Sequence, residues 1–322
     1  MTRAIRVHDK GGPEVLAFEE AEVGAPGKGQ ARLHQSAVGL NFIDVYHRTG
    51  LYPLPLPFIP GVEGAGIIEA VGEGVSEVKT GERVAYAGAL GAYAQERLVP
   101  ADRLVPIPDG VSDEEAAAGL LKGLTVHYLI RRTHEVKAGE TLLVHAAAGG
   151  VGLILCQWAA HLGAEVIGTV STRQKAELAR AHGCAHPIIT GETDFAEEVK
   201  RLTAGKGVPV VYDSVGQATF LKSFQCLAPL GLMVLFGQSS GEVAPLALNF
   251  LQQGSWFVTR PTLATYVAAR ADLLVAAEAF FGLVASGAVK IEINQRFALK
   301  DAAEAHRALE GRRTTGSSVL VP

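Results

Sequence analysis

The stretch Thr141-Leu142-Leu143-Val144-His145-Ala146-Ala147-Ala148-Gly149-Gly150-Val151-Gly152 constrains this chain more than any other. A short apolar run meets a turn of small residues and then a helix-forming segment, which is how a βαβ unit opens. Written as A-x-G-x-x-G, the turn puts Ala147, Gly149 and Gly152 at the three fingerprint places. The middle glycine lets backbone approach a pyrophosphate, and the last lets helix pack closely on strand. The helix N-terminus adds N–H groups and the positive end of a dipole, so Gly149, Gly150, Val151 and Gly152 are candidates to hold a phosphate. A lone G-x-x-G is weak evidence, and the flanks decide. Strands are expected at Thr141–His145, Glu165–Thr169, His186–Thr190, Val208–Asp213, Leu232–Gly237 and near Trp256–Arg260. Helices are expected between them at Val151–Leu162, Thr172–His182, Asp194–Thr203 and Gln217–Leu227. Six short apolar strands separated by helices predict a doubly wound parallel sheet, an α/β Rossmann domain.

The second strand of that domain speaks to the dinucleotide. A free ribose 2′-hydroxyl calls for an Asp or Glu about 20 residues past the fingerprint. The chain instead reads Ser171-Thr172-Arg173-Gln174-Lys175, two hydroxyls and two cations with no acid. That set suits a 2′-phosphate and hence NADP(H). The competing reading makes Thr172 a helix N-cap and leaves the charges solvated.

Up to Pro108 the chain has a different character. Glycines and prolines punctuate short alternating runs such as Glu82-Arg83-Val84-Ala85-Tyr86, which reads as an all-β unit. Tyr52–Pro60, with four prolines, cannot be helical and is expected to be a rigid extended loop. Ser112-Asp113-Glu114-Glu115 is a capping box opening a helix through about Ile130. After Pro261 a long helix is expected at about Leu263–Ser286, a strand near Ile291–Phe297, a helix at Asp301–Glu310 and a last strand at Ser317–Val321. At 322 residues the chain is long enough for two domains. The expected division is a β-rich domain of residues 1–123 and 262–322, with the Rossmann domain of residues 124–261 inserted.

Composition narrows the function classes. Lys and Arg number 29 against 33 Asp and Glu, a net charge of −4, which argues against a dedicated nucleic-acid binder. Cys156, Cys184 and Cys226 lie far apart and form no CxxC pair, so neither a disulfide framework nor a cysteine zinc site is expected. The weakly charged run Thr141–Leu162 has the length of a membrane span, but Gly149, Gly150 and Gly152 break it into strand and helix. The N-terminus shows no apolar signal core. The expectation is a soluble, cytoplasmic protein with reduced thiols.

Several runs are together more specific than any one alone. Asn41-Phe42-Ile43-Asp44-Val45-Tyr46, Gly61-Val62-Glu63-Gly64-Ala65-Gly66, Lys122-Gly123-Leu124-Thr125-Val126, the Gly149 turn, Val211-Tyr212-Asp213-Ser214-Val215-Gly216 and Gly316-Ser317-Ser318 are spread over the whole length. With them the chain resembles the quinone oxidoreductase family, the zeta-crystallin-like branch of the medium-chain dehydrogenases/reductases. The resemblance implies a GroES-like catalytic domain beside the Rossmann domain, NADPH as reductant, no zinc, and usually a homodimer. The residues support the absence of zinc independently. Zinc alcohol dehydrogenases place Cys and Gly-His-Glu at the reacting centre, where this chain has Asn41 and Gly61-Val62-Glu63, an amide and an isopropyl group. One departure stands out: the family's bacterial members carry a tyrosine after the third Rossmann strand, and here Thr190 is followed by Gly191.

Hydride chemistry without a metal needs hydrogen-bond donors at the oxygen that gains charge. The resemblance implies that Asn41, Asp44 and Tyr46 lie beside the nicotinamide, with Tyr52 at the mouth of the site. Asn41 and Tyr46 could donate to a quinone or enone carbonyl, and Asp44 would orient its neighbours. Asn41 could equally end a strand, and Tyr46 could pack a core. By the same resemblance Phe42, Tyr46, Thr125 and Tyr128 lie near the cofactor, and Ser171, Thr172, Arg173, Lys175 and Ser214 line it. So do Gln238, Ser239 and Ser240, while Thr259, Arg260, Pro261 and Arg312 complete its nicotinamide and phosphate ends. The implied activity is NADPH-dependent reduction of a small quinone. An enone or alkenal C=C reductase is the enzyme alternative, and an AU-rich RNA-binding or structural crystallin-like protein the alternative of another class.

Overall fold

The alternation that begins at Thr141 folds into one six-stranded parallel sheet in the order His186–Ile189, Glu165–Val170, Thr141–Val144, Val208–Asp213, Leu227–Leu235, Phe257–Thr259. Counted along the chain this is order 3-2-1-4-5-6, the doubly wound arrangement expected. The computed structural model describes residues 2–322. The chain divides into two compact units: Thr125–Tyr266, which holds this sheet, and the stretch through Leu124 together with Val267–Pro322. In the first, Leu143, Ile167, Val211 and Met233 are buried with Phe195, Phe220 and Phe224. The strands read as near-continuous apolar runs because both faces of a doubly wound parallel sheet are covered.

The other unit is β-rich. A seven-stranded sheet is built on Gln30–Leu40, which pairs antiparallel with Glu63–Val71, Glu96–Pro100 and Ser317–Val321. The C-terminal strands Ile293–Ala298 and Ser317–Val321 thus complete a sheet begun some 280 residues earlier, at Gln30. Leu33, Val38, Ile68, Val84, Tyr86, Tyr93 and Leu320 form its core. Ser112 and Glu115 cap the helix Asp113–Tyr128 reciprocally, the Ser112 N–H donating to Glu115 at 2.9 Å and the Glu115 N–H to the Ser112 hydroxyl at 3.2 Å. Tyr52–Pro60 contains no helix, and Phe58 bridges to Val7 through backbone hydrogen bonds of 2.8 and 3.1 Å.

Two expected helices come out differently. The one expected at Leu263–Ser286 is a single turn, Leu263–Tyr266, and a separate helix, Arg270–Ala285. Arg103 takes the carbonyls of Val267 and Ala268 at 3.0 and 3.1 Å, oxygens that a continuous helix would have used internally. Tyr266 stacks on Tyr128 at 4.4 Å and shares a 3.0 Å hydrogen bond with Thr133, which keeps residues up to 266 with the Rossmann unit. The helix expected at Gln217–Leu227 shrinks to Phe220–Ser223 followed by a 3₁₀ turn, Phe224–Cys226. Asp213 draws the residues before it into a turn, accepting from the N–H groups of Val215 and Gly216 and from the Thr219 hydroxyl. Among the described residues no helix is long and apolar enough to cross a membrane.

Candidate functional site

The Gly149–Gly152 turn lies at the carboxyl end of Thr141–Val144, where a doubly wound sheet binds ligands. Gly149 is the N-cap of the helix Gly150–His161, and Gly150 and Val151 are only half-buried, so the first turn's N–H groups lack helical partners. A Cβ on Gly152 would overlap the Ala146 carbonyl oxygen and lie 2.8 Å from the Ala147 Cα, so only glycine lets the helix pass the strand end this closely. Beneath the loop, buried His145 joins Thr169 at 2.8 Å and Ser223 at 2.7 Å, tying the loop's strand to its neighbours. Burial holds the His145 ring below the usual histidine range, so the ring is neutral.

Other expected residues converge on the same end of the sheet. The Ser240 hydroxyl donates to the Val215 carbonyl at 2.7 Å, and the Ser239 N–H donates to Ser214 at 3.2 Å. Arg260 donates to the Leu235 carbonyl at 3.1 Å and to Gln238 at 3.3 Å, next to Thr259 and Pro261. These bonds join the loops after the fourth and fifth strands to the end of the sixth. Thr172 does cap a helix, its hydroxyl accepting from the Lys175 N–H at 3.2 Å. Ser171 and Arg173 are exposed beside it, and Arg173 pairs with Glu192 at 3.0 Å. Tyr128 is buried against Tyr266, and Arg312 belongs to the other unit, in an exposed turn after the helix Ala302–Glu310.

In that β-rich unit, Asn41 follows directly on the strand Gln30–Leu40 in extended conformation and is shielded from solvent. It is the buried N-cap of the helix Phe42–Thr49, with its side-chain N–H donating to Glu63 at 2.8 Å. Glu63 is itself fully buried and also accepts from Lys122 Nζ at 3.1 Å and from the Leu121 N–H at 2.6 Å. Asp44 accepts the Asn41 N–H at 2.9 Å and the Tyr93 hydroxyl at 3.0 Å. Burial, reinforced by the charge of Glu63, pushes Asp44 up to about 7, while the Asn41 and Tyr93 bonds and Lys122 pull the other way. Tyr46 follows on the same helix, its ring 5.9 Å from Phe42 and 5.1 Å from Tyr52.

Comparison with known proteins gives this geometry its family. Residues 27–109 match the alcohol dehydrogenase GroES-like domain, and residues 150–270 match the zinc-binding dehydrogenase domain. The quinone oxidoreductase of Pseudomonas aeruginosa is 52% identical over the whole of both chains. The crystal structure of Escherichia coli quinone oxidoreductase complexed with NADPH superposes with a TM-score of 0.98 at 49% identity, covering 99% of this chain and 100% of that one. The chain belongs to the quinone oxidoreductase family. A 2-haloacrylate reductase from Burkholderia sp is 46% identical, with 100% of this chain and 99% of that protein covered.

Within that family frame, the Gly61-Val62-Glu63 and Lys122-Gly123 runs acquire a physical role that spacing alone did not give: they carry the buried ion pair behind Asn41. Tyr93, His306, His145 and Glu192 were not singled out by sequence reasoning. Tyr93, His306 and Glu192 lie outside the motifs, His145 was read only as the end of a strand, and each meets its partner from a distant part of the chain. Among the described residues one group of side chains could gather a cation, His34, Glu69 and Glu96, and there Arg32 already pairs with both glutamates.

Proposed function

We propose that this quinone oxidoreductase family member is a metal-free, NADPH-dependent quinone reductase. The observation that carries the reading is the coexistence in one chain of a glycine-capped helix start suited to a pyrophosphate and a buried turn of polar side chains at Asn41–Tyr46. The residues present fit the cofactor. The Gly152 contact leaves no room for a side chain under the loop, the Gly149–Val151 N–H groups suit a pyrophosphate, and Ser171, Thr172, Arg173 and Lys175 suit a 2′-phosphate without an opposing acid in that run. Ser214, Gln238, Ser239, Ser240, Thr259, Arg260 and Pro261 would hold the rest of the dinucleotide, with Thr125 and Tyr128 in the same unit. When bound, NADPH supplies the hydride. Tyr46 and Asn41, with Tyr52 and Phe42 beside them, orient the acceptor and donate to the oxygen that gains charge, as hydrogen-bond donors must where no metal serves. Behind that turn the Glu63 carboxylate is paired with the Lys122 ammonium, 3.1 Å away.

The test is reduction of a panel of quinones and enones with NADPH. Higher kcat/KM for quinones than for any enone supports the reading. The reverse ranking supports the C=C reductase, which the 46% identical 2-haloacrylate reductase favours. A homodimer fits the sheet edge at Phe257–Thr259, where Phe257 is 58% exposed, and sedimentation at the mass of one 33.8 kDa chain would contradict it. Three buried free cysteines fit a reducing, cytoplasmic setting.

Cofactor preference gives a sharper expectation. Charged hydrogen bonds to the 2′-phosphate contribute about 1.5–3 kcal/mol each, so kcat/KM should favour NADPH over NADH by roughly ten- to hundredfold. Glu192 competes with that phosphate for Arg173, which is 80% exposed. Exposed pairs are worth at most about 1 kcal/mol, so Glu192→Gln should raise the preference by up to roughly fivefold, and Lys175→Ala should lower it. Equal kcat/KM for the two cofactors in the unmodified protein would refute the 2′-phosphate assignment.

A further inference from the structure

The turn that carries Asn41 and Asp44 has a second set of partners, reached from its far side. Asn41, Asp44 and Arg48 recur at three and four residues and share one buried face of the helix Phe42–Thr49 and its cap. Arg48, only 1% exposed, donates to the Gly11 carbonyl at 3.1 Å, to both carboxylate oxygens of Glu310 at 2.9 and 2.8 Å, and to His306 Nδ1 at 2.9 Å. A guanidinium has donors only, so Nδ1 accepts and the His306 proton resides on Nε2. That N–H donates to the Tyr93 hydroxyl oxygen at 3.0 Å, which leaves the hydroxyl's own proton for Asp44 Oδ2, also at 3.0 Å. The Tyr93 ring lies against Gly61, whose φ of +87° favours glycine and where any Cβ would overlap the ring.

Every link in this chain points the same way, from a guanidinium that keeps its protons toward one oxygen of one carboxyl group. Asp44 Oδ2 receives two donors, the Tyr93 hydroxyl and the Asn41 N–H, whereas Oδ1 is buried with no hydrogen-bond partner. A proton added at Oδ2 would evict a donor. A proton added at Oδ1 breaks nothing, so the charge of the turn can change while its hydrogen bonds persist. The other charged groups acting on Asp44 are Glu63, which favours the neutral form, and Lys122, which favours the ionised one. His306 stays neutral throughout, because burial and the neighbouring Arg48 hold it down to about 3.

We propose that Tyr93 and His306 are positioning residues: by keeping a donor on Asp44 Oδ2 they reserve Oδ1 for the proton and, by favouring the ionised form, lower the pH above which the catalytic turn becomes anionic. This deepens the reductase reading and rests on it. An acceptor oxygen gaining negative charge is disfavoured beside an ionised carboxylate in a low-dielectric site, so the neutral turn is the active one.

Quinone turnover should therefore fall as pH rises through about 7. Tyr93→Phe removes a donor that favours the ionised form, so the fall should move upward by about one pH unit. His306→Leu should move it the same way by releasing the Tyr93 hydroxyl. His306→Gln, whose amide can accept from Arg48 and donate to Tyr93, should restore the original midpoint. The same ionisation is readable in the full-length protein without cofactor or acceptor, as a carboxylic-acid carbonyl band in infrared difference spectra that Asp44→Asn abolishes. A band midpoint that Tyr93→Phe and His306→Leu leave in place would overturn the proposal, as would the absence of any titrating band lost in Asp44→Asn. Midpoints that move as expected in a protein with no quinone turnover would uphold the positioning chain and overturn the reductase reading instead.

Discussion

Lys122→Met is expected to destabilise the protein by about 3–5 kcal/mol, the cost of leaving one member of a buried ion pair without its partner. Glu63 is fully buried and the Lys122 side chain is nearly so, their charged atoms 3.1 Å apart. The remaining donors to Glu63, the Asn41 amide and the Leu121 N–H, are neutral and cannot compensate a charge in this environment. Water has little room to enter, because Glu63 Oε2 closes against Gly39, where even a Cβ would overlap it. Replacing both partners, as in Glu63→Gln with Lys122→Met, should recover much of the stability, since neither charge is then orphaned. Urea denaturation of the three variants measures this. A single Lys122→Met variant within about 1 kcal/mol of wild type would show that the pair carries no such penalty.

Tyr46→Phe is expected to raise the barrier to quinone reduction by about 1–4 kcal/mol while leaving the affinity for NADPH nearly unchanged. The change deletes one hydroxyl and keeps the ring that packs against Phe42 and Tyr52 at 5.9 and 5.1 Å. Asn41→Ala should slow turnover by a similar amount, but it also deprives Glu63 of a donor at 2.8 Å, so part of its effect will appear as lost stability. The comparison separates the two roles of the turn. A kcat unchanged in Tyr46→Phe, with stability intact, would mean that another group polarises the acceptor.

How far the sequence carried depended on whether the determinants were local. The Rossmann order followed from the strand, the Gly149–Gly152 turn and the alternation after them, because apolar periodicity and turn chemistry are set over a few residues. The Ser112 cap was legible for the same reason. The break after Tyr266 was not, since it depends on Arg103 reaching carbonyls more than 160 residues away in the chain. Asn41 and Asp44 were recognisable as a motif, yet their environment was hidden: Lys122, Tyr93 and His306 arrive from three other parts of the chain. Buried polar networks obey satisfaction rather than periodicity, so no window of sequence displays them. Arg173 shows the converse. Its place after the second strand was readable, but its pairing with Glu192 required the loop after the third.

The most direct test of the account is the amount of hydroquinone formed per NADPH consumed by the purified protein under anaerobic conditions with a simple benzoquinone. The account predicts one hydroquinone per NADPH, formed about five- to several-hundredfold more slowly by the Tyr46→Phe variant. NADPH left unconsumed in the presence of quinone would contradict it.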